Sequence, residues 1–199
     1  MVITPLLLFF ALGVASSGVL ADSADPSQQL FGGLPLDLAI KQVRGNGTLA
    51  FAAFEDPNCP HCWQMAKDTA DLSDVTIYTF IYPILSDASK DVAKAIWCAP
   101  NRTKAWRAWM ISRTVPTWSE CNTESITKIL ALGKAMKISS VPTIFLANGD
   151  RISGAKSRME LEMAISSPKV RTFQSRQRID EKIHGSQDTR SMLPQRALD

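Results

Sequence analysis

The sequence predicts an α/β domain whose elements run β-α-β, then a helical insert, then β-β-α, and three stretches carry that prediction. TLAFAAF (48–54) is apolar nearly throughout, as a strand buried on both faces is. VTIYTFIYP (75–83) is rich in the β-branched and aromatic residues that favour strands. In SSVPTIFLANGDRISG (139–154), Asn148-Gly149 separates two strand-like runs, the strongest short-range hairpin signal because both turn positions need positive φ. At 199 residues and 45% apolar, the chain suits one ordinary core with appendages.

The appendages come first. Pro5 to Ala15 is an apolar run followed by small residues and Val19-Leu20-Ala21, the pattern of a signal peptide (1–21) cleaved after Ala21. No Lys or Arg precedes the run, so an uncleaved tether is the alternative, although the run is short of the ~20 residues a membrane span needs. Residues 22–47 read as a linker. Within it, LPLDLAIKQVRG places Leu36, Ile40 and Val43 at helical spacing before the Gly45-Asn46-Gly47 break.

The domain proper is expected over 48–167. A helix from about Pro60 to Leu72 follows the first strand, and Pro60 suits its first turn, where a missing N–H costs nothing. The insert is helical: Asp87, Asn101 and Asn122 are candidate caps of three helices. Trp97, Trp106 and Trp109 in that insert read as packing rather than as an aromatic binding strip. A last helix spans about Ser157 to Ile165. Beyond Pro168 aromatic residues are scarce, and 168–199 reads as a disordered polar tail. Its seven basic and four acidic residues account for the whole net charge of +3, so the body is near neutral and no nucleic-acid partner is indicated.

The chemistry sits in DPNCPHCWQM (56–65), where Cys59 and Cys62 flank Pro60 and His61. A structural zinc site needs four ligands, usually from a second paired motif. Cys98 and Cys121 are 23 positions apart and the only histidines are His61 and His184, so no metal is expected, nor any other cofactor. A purely structural Cys59–Cys62 bridge would be short and strained, and such bridges exchange readily. Between a strand and a helix start, the Cys59 sulfur faces unpaired backbone N–H groups and the positive end of the helix dipole. That placement favours thiolate over thiol. A protonated His61 would add to it. Cys62, one turn on, is placed to attack a mixed disulfide at Cys59. Pro60 and His61 thus tune the pair, and a stabilised thiolate makes its disulfide the stronger oxidant. Glu55 and Asp56 read as solvated loop carboxylates, with a proton acceptor for Cys62 as the alternative.

Strand, CPHC, helix, then Val141-Pro142-Thr143 entering a hairpin, resembles the thioredoxin fold. More narrowly, FEDPNCPHC, AIWCAPNRTKAW, SECN, ALGKAMKISSVPTIFLANGDRISG and LPLDLAIKQVRGNG are similar to bacterial periplasmic disulfide isomerases of the DsbC/DsbG type over about residues 34–166. The resemblance implies Cys59 as attacking cysteine, Cys62 as resolving cysteine, and a cis-proline at Pro142, whose loop (Val141, Pro142, Thr143) binds the client strand. It also implies a non-catalytic disulfide between Cys98 and Cys121. LPLDLAIKQVRG is similar to the linker helix that follows the family's N-terminal dimerisation domain. The short segment before it is too small for that domain, so a monomer is expected.

The function so implied is an exported thiol–disulfide oxidoreductase acting in the periplasm on cysteine-containing exported proteins, with a membrane redox partner resetting the pair. CPHC itself resembles the dipeptide of the monomeric oxidase DsbA, so motif and scaffold point in different directions. A chaperone-like client-binding module, or an assembly factor for a secretion or conjugation apparatus, is the alternative.

Overall fold

A computed structural model of the chain describes residues 31–167; the expected signal peptide, the first part of the linker and the C-terminal tail lie outside the described residues. Five strands form one sheet in the order β1-β3-β2-β4-β5: β1 (Ile40–Arg44), β2 (Leu49–Glu55), β3 (Val75–Ile81), β4 (Thr143–Leu146) and β5 (Arg151–Ser153). β2 and β3 are parallel; the other three pairings are antiparallel. The helices are α1 (Pro60–Asp68), α2 (Asp87–Trp97), α3 (Arg102–Ser112), α4 (Glu124–Ala135) and α5 (Arg158–Ser166). Among the described residues, no helix is long and apolar enough to cross a membrane.

The central strand β2 explains the layering. Successive side chains of a strand point to opposite faces, and both faces of β2 are covered. Phe51 and Ala53 pack with Met65 of α1 and Leu161 of α5. Ala52 and Phe54 face the other way, with Phe80, Tyr82, Phe145 and Ile129 of α4. There the Phe54 ring stacks on Phe80 at 4.6 Å and meets Phe145 edge-on at 5.7 Å. A third cluster gathers Cys59, Cys62, Trp97, Trp106 and Met110 where the helical insert covers the sheet.

The structure corrects several expectations. LPLDLAIKQVRG is no helix: it makes one 3-10 turn (Leu36–Leu38) and then β1, which pairs with β3 from Ile40↔Thr79 to Arg44↔Val75. The free edge of β3 takes this segment, burying Ile40 and Gln42 while Val43 is left exposed. The element order therefore gains a strand ahead of the expected β-α-β. α1 stops at Asp68 rather than Leu72, and the carbonyls of Thr69 and Ala70 at its end accept from the Arg44 guanidinium. Ser86, not Asp87, caps α2, its side chain accepting from Ser89 N–H. α4 starts from Thr123, whose side chain makes no cap; Asn122 Oδ1 instead accepts from Glu124 N–H at 2.8 Å. In the β4–β5 connection only Gly149 takes positive φ (89°), so the hairpin closes through a longer turn than the expected two-residue one.

Cys98 and Cys121 are bonded, tying the end of α2 to the segment before α4 and closing the excursion that contains α3. A disulfide stabilises by removing loop-closure entropy from the unfolded chain, about 3 kcal/mol for a loop of this size. Replacing both cysteines by alanine is expected to cost about that much unfolding free energy, measured by chemical denaturation. An unchanged midpoint would mean that packing of α3 alone holds the excursion.

Candidate active site

Cys59 is the N-cap of α1, with extended backbone (φ −80°, ψ 118°), and its sulfur accepts from Cys62 N–H at 3.4 Å. Pro60 takes the first helical position, where no donor is lost. As a thiol, Cys59 Sγ donates to Val141 O at 3.4 Å, across a separation of 82 residues. The Val141–Pro142 bond is cis, Pro142 and Thr143 are buried, and Val141 is half-buried against the cysteine cluster. Pro60 and His61 are exposed at the front of the site.

The two thiols lie in opposite electrostatic settings. Cys59 is brought down from about 9 to about 6, first by the hydrogen bond that the Cys62 thiol gives it, then by the N–H groups of Cys62 and His61 and by the charge of His61; partial burial opposes them. Cys62 is fully buried, and burial above all pushes its thiol far up, followed by its bond to Cys59 and the charge of Glu55. One sulfur is therefore a thiolate at neutral pH and the other is a thiol. His61→Ala is expected to raise the Cys59 value only in part, because the Cys62 hydrogen bond is the larger cause; ultraviolet titration of the thiolate measures it.

Glu55 and Asp56 are buried, contrary to the expectation that they are solvated. Asp56 serves structure: its carboxylate accepts from Asn58 N–H at 2.8 Å and Leu85 N–H at 2.9 Å, pinning the loop before Cys59 to the chain after β3. Glu55 is different. Burial first, then the nearby Cys59 charge, push its carboxyl up to about 8; Thr79 is close enough to temper the rise but makes no hydrogen bond of normal geometry. The Cys59 charge acts on Glu55, and the Glu55 charge in turn acts on Cys62.

Sequence reasoning missed the clamp on this loop. The Pro57 carbonyl accepts from the indole N–H groups of Trp63 and Trp109, each at 2.6 Å, and from Arg113 Nη1 at 3.5 Å. The Arg113 guanidinium sits 3.9 Å over the Trp63 ring and 5.3 Å from that of Trp109. Arg113 reaches this place because it closes α3 in a left-handed conformation (φ 54°). The only signal available was the WRAWMISR spacing on α3, which places Trp109 and Arg113 one turn apart. Trp97 and Trp106 are buried packing residues.

A family profile described as a thioredoxin-like domain matches residues 36–167. The chain belongs to the thioredoxin-like domain family. Within that family it is 45% identical over 132 residues to a probable thiol:disulfide interchange protein DsbC of Bordetella parapertussis, covering 66% of this chain and 47% of that one. It is 31% identical over 114 residues to the thiol:disulfide interchange protein DsbC of Escherichia coli K12, covering 55% and 47%. The chain thus spans about half the length of these curated relatives. A crystal structure of a disulfide interchange protein from Neisseria gonorrhoeae superposes with a TM-score of 0.64 at 37% identity, covering 66% of this chain and 96% of that one. The thioredoxin-like fold therefore accounts for the placement of CPHC at the start of α1, after β2, with Cys59 facing the Val141–Pro142 loop.

Among the described residues, no cluster of three or more His, Cys, Asp or Glu is arranged to hold a metal.

Proposed function

We propose that this chain is an exported thiol–disulfide oxidoreductase that forms or rearranges disulfides in periplasmic clients through Cys59 and Cys62. The observation that carries the reading is the asymmetry of the pair: adjacent sulfurs, one lowered to about 6 and the other raised by burial. In the oxidising direction a client thiolate attacks Cys59 of the Cys59–Cys62 disulfide. The new bond joins client to Cys59, the old one breaks, and Cys62 leaves with the electron pair. Glu55, an acid at neutral pH, gives the departing Cys62 sulfur its proton. A second client thiolate then attacks the client sulfur, and Cys59 leaves as the stable thiolate. Stabilising that thiolate favours the reduced enzyme, so its disulfide is a strong oxidant. The reverse sequence reduces a wrong client disulfide, the first half of isomerisation.

The client strand is read as lying along the Val141–Pro142 segment that leads into Thr143, where an extended backbone can add alongside the half-buried Val141. Thr143 itself is buried and paired with both β2 and β5. The Trp63–Trp109–Arg113 clamp keeps the loop before Cys59 fixed while the sulfurs change partners. A membrane redox partner that reoxidises the pair belongs to the same reading.

Insulin reduction and scrambled-ribonuclease refolding test it. Wild type is expected to turn over in both, and Cys59→Ser in neither. Client rescue that survives loss of Cys59 would instead identify a holding module.

A further inference from the structure

Behind the cysteine pair lies a cavity between the sheet and helices α1 and α3, lined among others by Glu55, Thr79, Gln42, Arg44 and Arg107. Strand register orders the polar groups. Glu55 stands opposite Ile81 at the active-site end of the sheet. Thr79 stands opposite Ile40 and Ala53, Gln42 opposite Ile77, and Arg44 opposite Val75. All four lie on one face; each step advances two residues, about 6.6 Å along the strands, and the first two steps also cross to the neighbouring strand.

Three atoms in this row are buried without a hydrogen-bond partner among the described residues: Thr79 Oγ1, Gln42 Oε1 and Arg44 Nε. Thr79 is 1% exposed and Gln42 7%. Leaving a buried polar group unpaired costs about 1–3 kcal/mol, and three in one apolar layer is a cost that bound water removes. The space suits water: about 30 Å³ is reachable by the centre of a water-sized sphere, against the ~10–15 Å³ that one molecule needs.

We infer that this cavity holds a short chain of ordered waters, hung on Thr79, Gln42 and Arg44, through which Glu55 exchanges its proton with solvent at the Arg44–Arg107 end. Arg107 is exposed there, while Arg44 is held in place by its bonds to the Thr69 and Ala70 carbonyls. The exit lies at the opposite end of α1 from Cys59. Proton exchange therefore continues while a client covers the front. The charged or titratable groups facing Glu55 are Cys59 and Cys62 on the active-site side and, across the cavity, Arg44 and Arg107. The inference rests on the reading of Glu55 as proton partner of Cys62.

The test follows the reduced full chain reacting with an aromatic disulfide whose two halves are coloured thiols. In the first phase Cys59 thiolate attacks, the aromatic S–S bond breaks, and one coloured thiolate leaves. In the second, Glu55, an acid at neutral pH, first passes its proton to solvent, and the carboxylate so formed takes the Cys62 proton as Cys62 attacks Cys59 sulfur. The Cys59–Cys62 bond forms, the second coloured thiolate leaves, and Glu55 is left protonated as at the start. Thr79→Val and Gln42→Leu are expected to slow the second phase about tenfold, at the low side of proton-transfer effects, with the first phase unchanged. Thr79→Ser, which keeps the hydroxyl, is expected to restore the rate. Wild-type second phases in both Thr79→Val and Gln42→Leu, beside a slow one in Glu55→Gln, would overturn the water chain and leave Glu55 its role. A wild-type second phase in Glu55→Gln as well would overturn both. The unchanged first phase reports that each variant is folded.

Discussion

Cys59→Ser is expected to lose thiol–disulfide exchange altogether, and Cys62→Ser to accumulate mixed disulfides with clients. The two cysteines are not interchangeable, because their surroundings differ. Cys59 caps a helix and receives N–H and S–H donors, so its thiolate is the species present at neutral pH. Cys62 is fully enclosed and holds its proton. A client disulfide can therefore be opened by Cys59 and only then resolved by Cys62. Without Cys62 the first bond forms and persists. Non-reducing gels with mass spectrometry of the adducts read this out: a ladder of adducts from Cys62→Ser and none from Cys59→Ser. Equal trapping by both would show that either sulfur attacks, contrary to the asymmetry of their environments.

Glu55→Gln is expected to have the next largest effect, in opposite senses on rate and stability. Positioned proton transfer contributes roughly 10²–10⁴-fold, so the Cys62 step should slow by about 10² while attack by Cys59 is little changed. For stability the sign follows from the raised carboxyl. Folded Glu55 holds its proton up to about pH 8, whereas an unfolded glutamate loses it near 4.5. Between those values the folded state binds more protons, so stability falls as pH rises through that window. Glutamine resembles the protonated acid and escapes the penalty. The variant should match wild type near pH 4.5 and be more stable at pH 8.5, by up to about 4 kcal/mol. Denaturation of the oxidised proteins at the two pH values checks it, since burial, the largest cause of the shift, does not depend on the Cys59 charge. A variant less stable than wild type at pH 8.5 would mean that the Glu55 carboxylate has a favourable partner.

How these residues could be read in advance varied with how local their causes are. The cysteine pair was legible because its chemistry comes from one helix start, and that start is written in CPHC itself. The strands β2, β3 and β4 were legible because apolar, β-branched and aromatic residues fill most of their length. β1 was not. A polar residue, Gln42, faces the interior between Ile40 and Arg44, and Val43 faces out, so the alternation that marks a strand was inverted at the position that lines the cavity. Its pairing with β3 is set by a free sheet edge, which no pattern within IKQVR announces. Glu55 was misjudged for a related reason. It ends β2 beside a turn, and its burial comes from α1 and α3, which close over it with Met65, Ala66, Trp106 and Met110. The clamp at Pro57 joins residues up to 56 positions apart, and its geometry depends on one left-handed residue.

The claim underlying all of this is that Cys59, and not Cys62, is the thiolate at neutral pH. Alkylation of the reduced protein against pH, with the modified residue identified by peptide mass, tests that claim most directly. The expected result is a rate that rises through a midpoint near pH 6 and then levels, with all early label on Cys59. A midpoint near 9, or early label on Cys62, would contradict it.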